Sequence, residues 1–377
     1  MPDRPGRGAV RVALILGDGI GADVAKAAIA VADAALRAGG LNPLAIEPIE
    51  AGAGHYARTG ADIEPGGEER AGEADAIFLG AIGLPDVRAA DGTEISPHLR
   101  LRDRFGLYAG VRPARAYPNT RRRLADPRAA GIDLVIVRES TEGLFWSAAV
   151  HGRSDVREEG GRTSEVRDTL RITRATTERL HCFAHRLAAR RARAGRNGRL
   201  TCVDKANVFT SMAFFRAVFD EVHAGHPDVV ADHAYVDAVA LEMVRRPWEY
   251  GVLVTENMFG DILSDLAGGL VGGMGMAPCA EIGDEHALFQ PAHGSAPDIA
   301  GQDAANPLAA ILSAAMMLDW LGERRGDEGH ARAGARIEQA VERLFAADAL
   351  RPMELGGDMG TREVARRVIA AVAEDGA

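Results

Sequence analysis

Apolar residues occur along the chain in short continuous runs, separated by stretches with helical spacing. The run VRVALIL at residues 10–16 has the length and composition of a buried strand, and a glycine-rich turn follows it. Residues 22–36 then repeat small apolar side chains at helical spacing. Further runs with strand character cover residues 76–82, 133–140, 199–208 and 251–259. Strands that alternate with helices predict an α/β fold.

The length of the chain bounds its organisation. With 377 residues, 47% of them hydrophobic, it is too long for one simple core and long enough for two domains. Two domains imply a cleft between them. Since no internal repeat or low-complexity linker marks a boundary, the boundaries must be inferred from the arrangement of strands and helices.

Two carboxylates stand four residues apart in the apolar stretch NMFGDILSDLAGGL. At this spacing Asp261 and Asp265 lie on one face of a helix. Such a pair is costly in an apolar setting unless a cation joins it, and Mg²⁺ and Mn²⁺ prefer oxygen ligands. No HExxH motif and no cysteine pairing suggests zinc instead. The pair predicts a metal-assisted enzyme; the alternative is that Asp261 caps the helix and Asp265 is solvated.

Lysine is rare in this sequence, since Lys26 and Lys205 are the only lysines among 44 basic residues. Arginine stands at nearly every other position that needs a positive charge. An ammonium group can lose its proton when its pKa is lowered, whereas a guanidinium effectively cannot. Lys205 is therefore a candidate general base; the alternative is that lysine was retained there by chance.

The segment TEISPHLRLRDRFGLYAGVRP, residues 93–113, combines a helix start with basic side chains. Ser96 can cap a helix whose first position is Pro97, where the missing donor of proline is not needed. His98 and Arg102 then share one helix face. Arginines that converge from the ends of several elements can bind carboxylates through paired hydrogen bonds, although each alone could be a surface charge. The expected set is Arg102, Arg112 and Arg138.

Two turns are candidates for nucleotide contacts. Residues 17–22, GDGIGA, fit GxGxxA, but the acid that a Rossmann unit requires has only Glu47 and Glu50 as candidates, in a segment broken by proline. We therefore interpret this loop as a tight turn beside a cleft. In FQPAHGSAPDIAG, backbone amides can bind phosphate, and Asp298 can accept from ribose hydroxyls and repel the 2′-phosphate of NADP. This turn predicts NAD; an ordinary Pro-Asp turn is the alternative.

Charge and cysteine content exclude other classes of protein. The net charge of −10 argues against nucleic acid or an anionic membrane as the main partner. Three cysteines, without CxxC spacing, suit a reducing compartment better than a disulfide framework. The apolar run near the N-terminus is too short for a signal peptide or a membrane span. We therefore expect a soluble cytoplasmic protein.

Several motifs together resemble one known family. They are GDGIG, RPARAYP, RESTEG, VDKANV, YVDA, TENMFGDILSD, GGMGMAP and HGSAPDIAG, with the later ANPLAAILSAAMML and a GT near the end. In this order, from about residue 12 to about residue 372, they resemble the β-decarboxylating dehydrogenases, which include isopropylmalate, isocitrate, homoisocitrate, tartrate and D-malate dehydrogenases. The blocks GDILSD and HGSAPD are highly specific to that family.

The resemblance implies an architecture. It implies a homodimer with an isopropylmalate dehydrogenase-like fold, distinct from the Rossmann fold, in which two α/β domains contain a mixed sheet. Residues 1–107 and 272–377 would form the cofactor-binding domain, and residues 108–271 the dimerisation and substrate domain. An intersubunit arm would lie near residues 147–168.

The resemblance also implies roles for the candidate residues. Lys205 and Asp237 would reach across the interface into the neighbouring active site as catalytic residues, with Lys205 helping to remove the C2 hydroxyl proton. Asp237 of one subunit would join Asp261 and Asp265 of the other in binding Mg²⁺ or Mn²⁺. The three arginines would hold the carboxylates of a malate core. The residues expected to contact NAD are His293, Gly294, Ser295, Ala296, Asp298 and Asn306.

Two positions depart from the family pattern. Phe145 stands where the family usually has the tyrosine that protonates the enol, so either water or another group, such as His98, replaces it or turnover is slow. Gln290 replaces a glutamate before the Pro-x-His-Gly run, which affects the expected contacts with the nicotinamide ribose. Neither departure touches the metal ligands or the base, and the chain is therefore expected to be an enzyme.

The substrate prediction depends on the helix that starts after Ser96. This residue matches the serine with which isocitrate enzymes bind the γ-carboxylate, and His98 stands where isopropylmalate enzymes present leucine. We therefore expect oxidative decarboxylation, to a 2-oxo acid and CO₂, of a malate with a polar or anionic substituent at C3. The candidate substrates are tartrate or D-malate, isocitrate or homoisocitrate, and a phosphonate-bearing malate.

Three alternatives stay open at this point. If Ser96 merely caps its helix and His98 faces solvent, Ile95 and Leu99 would line an apolar pocket for isopropylmalate. Because Phe145 cannot donate a proton, the chain could instead be a non-catalytic regulatory subunit of a heteromeric isocitrate dehydrogenase. Magnesium-dependent phosphoryl transfer could also use an aspartate pair, but the sequence contains no GxxxxGK[ST] loop.

Overall fold

A computed structural model describes residues 9–121, 123–149 and 154–374 of the chain. Within them, a ten-stranded sheet has helices packed on both faces, which confirms the predicted α/β class and the mixed sheet. The strands are β1 (Arg11–Gly17), β2 (Ala45–Pro48), β3 (Ala76–Ala81), β4 (Ala109–Arg115), β5 (Asp133–Glu139), β6 (Asp155–Glu159), β7 (Arg162–Arg167), β8 (Leu200–Asp204), β9 (Ala231–Tyr235), β10 (Val252–Thr255), β11 (Pro278–Ile282) and β12 (Ala287–Pro291).

Twelve α-helices connect these strands in the described part of the chain. They are α1 (Gly21–Ala38), α2 (Ala53–Thr59), α3 (Gly67–Glu73), α4 (Pro97–Phe105), α5 (Phe145–Ala149), α6 (Arg174–Arg193), α7 (Thr210–His223), α8 (Val236–Arg245), α9 (Asn257–Val271), α10 (Leu308–Arg325), α11 (Glu328–Ala346) and α12 (Thr361–Glu374). None of the helices described here combines the length and the apolar character that crossing a bilayer requires.

The large sheet consists of two parallel halves joined by antiparallel strands. Its order is β2-β1-β3-β12-β11-β4-β5-β10-β8-β9. Strands β2, β1, β3 and β12 are parallel to one another, and so are β5, β10, β8 and β9. Strands β11 and β4 lie between the two halves and are antiparallel to their neighbours. Each half therefore presents the carboxyl ends of parallel strands, where loops commonly carry binding residues.

Helix α9 begins and ends at residues with clear local reasons. The carboxylate of Glu256 caps the N-terminus by accepting a hydrogen bond from the backbone N–H of Phe259 at 2.7 Å. Gly272, with φ of 146°, ends the helix in a conformation that favours glycine. Asp261 lies inside the helix, and the alternative in which it acts as the cap is wrong.

Two predicted strands are shorter than the sequence pattern suggested. The strand expected over residues 251–259 ends at Thr255, because Glu256 already caps helix α9. The strand expected over residues 199–208 ends at Asp204, after which the chain turns toward helix α7. In both places a polar residue that closes an apolar run belongs to the next turn or helix.

Three apolar clusters hold the fold together. The largest packs both halves of the sheet against helices α1, α6, α10, α11 and α12. A second cluster comes from residues 114–271 and a third mainly from residues 13–107. Since the largest cluster is continuous across the middle strands, the two halves are packed together at β4, β5 and β11.

The predicted domain boundaries and arm remain predictions. Strands β6 and β7 form a separate antiparallel pair in which every residue is exposed, within the segment predicted as an intersubunit arm. Residues 150–153 of that arm lie outside the described residues, as do residues 1–8, 122 and 375–377 of the predicted domains.

Candidate active site

Three arginines converge on one face of the sheet. Arg112 comes from β4, Arg138 from the end of β5, and Arg102 from helix α4. Their exposed fractions are only 7%, 1% and 4%. Buried guanidiniums are costly unless acids or hydrogen-bond acceptors match them, so the neighbouring carboxylates decide the geometry of this cluster.

Glu281 on β11 is a site residue that the sequence reasoning missed. Its side chain is fully buried, and its Oε1 lies 2.8 Å from Nη2 of Arg102 and 3.9 Å from Nη2 of Arg112. Burial alone would raise the pKa of Glu281, but attraction to Arg102 and Arg112 outweighs burial and lowers the pKa to about 2. The available signal was a lone acid within the short apolar strand PCAEI, where a charge needs a buried partner.

Arg138 is held by side chains from α9. Asn257 Oδ1 accepts hydrogen bonds from its Nε at 2.9 Å and its Nη2 at 2.6 Å, and its Nη1 pairs with Asp261. Burial and the neighbouring Arg112 lower the pKa of Arg138 to about 10. The ring of Phe145 lies 4.7 Å from the guanidinium carbon, which places the residue that departs from the family pattern beside this arginine.

The aspartate pair lies on one face of α9, as predicted. Nη1 of Arg112 is 3.6 Å from Oδ1 of Asp261 and 3.8 Å from Oδ1 of Asp265. The side chains of the two aspartates are 40% and 60% exposed. Partial burial raises the pKa of Asp265, and the nearby charge of Asp261 adds to this effect. The pair therefore lies at the mouth of the arginine cluster.

This donor set fits a hard divalent cation. Two carboxylates one helical turn apart supply oxygen ligands, and a cation would offset the burial that raises the pKa of Asp265. No group of three or more His, Cys, Asp or Glu within the described residues is placed to hold a metal. Within one chain, therefore, Asp237 does not lie with Asp261 and Asp265, and only these two of the three predicted metal ligands are close together.

Lys205 and Asp237 form a second cluster. Nζ of Lys205 lies 2.5 Å from Oδ1 of Asp237, and this hydrogen bond lowers the pKa of Asp237. The two residues follow the parallel neighbours β8 and β9, whose carboxyl ends meet at one edge. The buried Asp204 accepts hydrogen bonds from the backbone N–H of Ala206 and from Arg216, each at 2.8 Å, and thereby shapes the turn that presents Lys205.

The start of α4 lies beside the arginine cluster. Pro97 is the first helical residue, as predicted, but the Ser96 side chain makes no capping hydrogen bond. His98 is partly exposed, yet its Nδ1 is buried and has no hydrogen-bond partner among the described residues. Burial and the nearby Arg102 lower the pKa of His98 to about 3, which keeps the imidazole neutral.

The predicted cofactor turn follows β12 and contacts the glycine-rich turn after β1. The backbone N–H of Ile20 donates to the carbonyl of Ser295 at 2.7 Å, and the Ser295 hydroxyl donates to the carbonyl of Gly83. Gly19 has φ of 53°, and a Cβ there would lie 2.0 Å from the Ser295 carbonyl oxygen. Only glycine allows this close approach, which agrees with the interpretation of GDGIG as a tight turn.

Asp18 ties the surrounding loops together. Its carboxylate accepts backbone hydrogen bonds from Ala53, Gly54 and Gly83, each at 2.8 Å. The residue is therefore structural here and joins the ends of β1 and β3 to the start of α2. The carboxyl ends of β1, β3 and β12 form a supported edge where a nucleotide can approach backbone amides.

Features of this edge fit a dinucleotide. Gly294 and Asp298 are exposed, and Ala296 has φ of 36°, in the left-handed region. Nε2 of His293 is buried without a hydrogen-bond partner in the described structure, so a ligand could satisfy it. Burial lowers the pKa of His293, which favours a neutral ring.

Asn306 and Gln290 have defined surroundings. The amide Nδ2 of Asn306 donates to Glu354 at 2.9 Å, which orients this predicted adenine contact. Gln290 lies in β12, is 7% exposed, and accepts a hydrogen bond at its backbone oxygen from the Ser313 hydroxyl at 2.7 Å. The sequence reasoning did not single out Glu354 or Ser313.

Comparisons with known proteins agree with this geometry. The sequence model of the isocitrate/isopropylmalate dehydrogenase family matches residues 11–368. A 3-isopropylmalate/3-methylmalate dehydrogenase of Methanocaldococcus jannaschii is 40% identical over 366 residues, which cover 97% of this chain and 99% of the relative. An isocitrate/homoisocitrate dehydrogenase of Thermus thermophilus is 40% identical over 365 residues, with coverage of 97% and 99%.

A solved structure shares the overall fold. The crystal structure of isocitrate dehydrogenase from Methylococcus capsulatus matches with a TM-score of 0.82 and 32% sequence identity. The match covers 97% of this chain and 99% of the solved chain. The predicted fold class is therefore confirmed.

Proposed function

This chain belongs to the isocitrate/isopropylmalate dehydrogenase family and is a β-decarboxylating dehydrogenase; from that premise we propose that it oxidises and decarboxylates a 3-substituted malate to a 2-oxo acid and CO₂. We further propose NAD as the hydride acceptor, Mg²⁺ or Mn²⁺ as the metal, and a polar or anionic substituent at C3. The alternative substrate is 3-isopropylmalate.

One observation carries the proposal more than any other. Arg112 places a single nitrogen within 3.8 Å of both Asp261 and Asp265, so carboxylate-binding and metal-binding groups share one site. A malate core has two carboxylates and a hydroxyl group. Guanidiniums can hold the carboxylates while the aspartates hold a cation next to the hydroxyl oxygen.

The residues of the chain supply binding and proton transfer. Lys205, when neutral, accepts the proton of the C2 hydroxyl, and Asp237 at 2.5 Å can receive it in turn. Arg102, Arg112 and Arg138 hold the substrate carboxylates in a buried setting that limits water. When bound, NAD would take hydride from C2, and the metal would polarise the C2 oxygen and stabilise charge as CO₂ leaves.

The proposed active site is shared between two copies of the chain. Asp237 has a side chain that is 67% exposed, and one chain does not group it with the aspartate pair of α9. Helices α8 and α9 expose Leu241, Val244 and Ile262 by 57%, 50% and 62%. An apolar face of this kind supports burial against a second copy, which would bring Lys205 and Asp237 to the neighbouring aspartate pair.

Subunit mixing tests this arrangement. Two inactive variants, Lys205→Arg and Asp265→Asn, are expected to regain activity when unfolded and refolded together, because each mixed dimer contains one site with neither substitution. Random pairing would restore about a quarter of the wild-type activity. The measurement is NAD reduction after co-refolding, with each variant refolded alone as the control. No recovery despite mixed dimers on native mass spectrometry would contradict sharing.

Replacing Phe145 by tyrosine tests the missing proton donor. The ring lies 4.7 Å from the Arg138 guanidinium carbon, so a phenol at this position would enter the site and could protonate C3. We expect Phe145→Tyr to raise kcat by about 10-fold and to reduce the solvent deuterium isotope effect. Phe145→Leu, which adds no hydroxyl, is the matched control and should not gain activity. Equal kcat values for wild type and Phe145→Tyr would show that protonation at C3 does not limit turnover.

A substrate panel tests the proposed function as a whole. The purified chain alone should reduce NAD in the presence of Mn²⁺ and a malate-type substrate, and should use NADP less well because Asp298 is exposed beside the cofactor turn. The panel comprises D-malate, tartrate, isocitrate, homoisocitrate and 3-isopropylmalate. A higher kcat/KM for 3-isopropylmalate than for every polar analogue would favour the alternative substrate. Activity that appears only after a partner subunit is added would favour a regulatory role.

A further inference from the structure

Glu281 places a carboxylate among the three arginines proposed to bind the substrate. It is fully buried and contacts Arg102 at 2.8 Å and Arg112 at 3.9 Å. Both arginines are also buried. A charge in such a setting is weakly screened by solvent and salt, so its influence on a bound anion is larger than that of a surface carboxylate.

The register of the sheet explains how this acid reaches the cluster. Glu281 of β11 lies opposite Gly110 of β4, and Gly110 lies opposite Arg138 of β5. A Cβ at Gly110 would lie 2.9 Å from Oε2 of Glu281 and 2.6 Å from the Ser140 hydroxyl. Because Gly110 has no side chain, the Glu281 carboxylate can occupy the space over β4, between β11 and β5.

The contacts leave a defined set of groups free for a ligand. Glu281 engages Nη2 of Arg102, while the buried Nε atoms of Arg102 and Arg112 have no hydrogen-bond partners among the described residues. Nδ1 of His98 is likewise buried and unpartnered in this part of the chain. Two buried guanidinium donors suit carboxylate acceptors. A hydroxyl group suits the imidazole, because it can donate to one tautomer and accept from the other.

We propose that Glu281 positions Arg102 and sets the charge of the substrate that this site selects. The proposed divalent cation would offset the charges of Asp261 and Asp265. The three guanidiniums less the Glu281 carboxylate then leave two net positive charges, which match the two carboxylates of a malate core. A third carboxylate, on the C3 substituent, would be repelled by Glu281, and no positive charge of the arginine cluster would remain to balance it. The selected class is therefore a malate whose C3 substituent is small, polar and uncharged, held by His98. This inference rests on the proposed function.

The closing experiment compares substrates of two charges. Steady-state kcat and KM are measured for D-malate and tartrate, with two carboxylates, and for isocitrate and homoisocitrate, with three. Wild-type enzyme should prefer the doubly charged substrates. Glu281→Gln keeps the size and can still accept a hydrogen bond from Arg102, but it removes the charge. It should raise the ratio of kcat/KM for triply over doubly charged substrates by at least about 10-fold, mainly through KM.

A matched control and a positioning variant separate the two roles of Glu281. Glu342→Gln removes a carboxylate that pairs at 2.7 Å with Arg115, which is on β4 but faces the opposite side of the sheet from Arg112, and it should leave the ratio unchanged. Glu281→Ala should raise KM for every substrate, because Arg102 loses the partner that orients it. Recovery of KM for the doubly charged substrates in Glu281→Gln, relative to Glu281→Ala, would identify the positioning role.

A binding measurement gives a readout that does not need turnover. Thermal stabilisation of wild-type protein with Mn²⁺ is compared for succinate and for tricarballylate, which carry two and three carboxylates. Succinate is expected to raise the melting temperature of the wild-type protein more than tricarballylate does. In Glu281→Gln, tricarballylate should stabilise the protein as much as succinate or more. Stronger binding of tricarballylate by wild type, or an unchanged ratio in a folded Glu281→Gln protein, would overturn the inference. Absence of turnover with every substrate, together with the expected binding order, would instead refute the proposed function.

Discussion

Substitution of Lys205 by arginine should lower kcat by about 1000-fold while the protein stays folded. Lys205 and Asp237 form a pair 2.5 Å apart at the carboxyl ends of two parallel strands. Arginine keeps the positive charge and can keep the pair with Asp237, but it cannot become neutral and accept the C2 hydroxyl proton. The measurement is steady-state NAD reduction, together with the melting temperature.

The chain offers an unusually close control for this experiment. Lys26, the other lysine, is exposed on helix α1, and Lys26→Arg should leave kcat unchanged. If Lys205→Arg lost its activity because it was unfolded at the assay temperature, as its melting temperature would show, the role of Lys205 would be structural. Retention of more than about a tenth of wild-type kcat by a folded Lys205→Arg enzyme would contradict the assignment of this residue as the base.

Substitution of Asp265 by asparagine should weaken Mn²⁺ binding by at least about 100-fold and remove most activity at moderate metal concentration. Asparagine is nearly isosteric but lacks the charge that joins the carboxylate of Asp261 at the mouth of the arginine cluster. Arg112 at 3.8 Å would lose only a long contact, so folding should be preserved. Binding can be measured by titration calorimetry, and removal of metal from wild type by EDTA should cause the same loss of activity.

Asp319 provides the matched control for the metal experiment. It is a half-exposed helical aspartate on α10 that pairs with Arg190 at 3.2 Å, and it has no place in the proposed site. Asp319→Asn should change neither Mn²⁺ affinity nor activity. If Asp265→Asn bound Mn²⁺ as tightly as Asp319→Asn, the metal would have to lie elsewhere in the molecule.

Residues whose chemistry is local were predictable without coordinates. The four-residue spacing of Asp261 and Asp265 was enough to place both on one helix face, since helical geometry depends only on nearby sequence. The scarcity of lysine singled out Lys205. The apolar runs located β1, β3, β5, β8 and β10, which are five of the ten strands in the large sheet of the described residues. The motif resemblance placed all of these residues in one family, and the family comparisons confirm that membership.

Residues whose role depends on distant partners were not predictable in the same way. Glu281 was missed because its role depends on contacts with Arg102 and Arg112, which are more than 160 residues away in the chain. Helix packing and strand order bring these residues together. Asn257 was missed for a similar reason, since it acts by holding Arg138. Neither residue belongs to a local pattern that specifies a buried ion pair.

The sequence by itself determined the α/β class, the helix that carries the aspartate pair and the identities of the candidate groups for binding carboxylates, metal and nucleotide. These properties follow from periodicity and side-chain chemistry, which act over a few residues. Only the tertiary structure decided that β11 and β4 join the two halves, that Gly110 leaves room beside Arg138, and that Glu281 offsets one arginine. Strand order and register bring remote residues together, and the attraction between the buried charges then keeps Glu281 ionised.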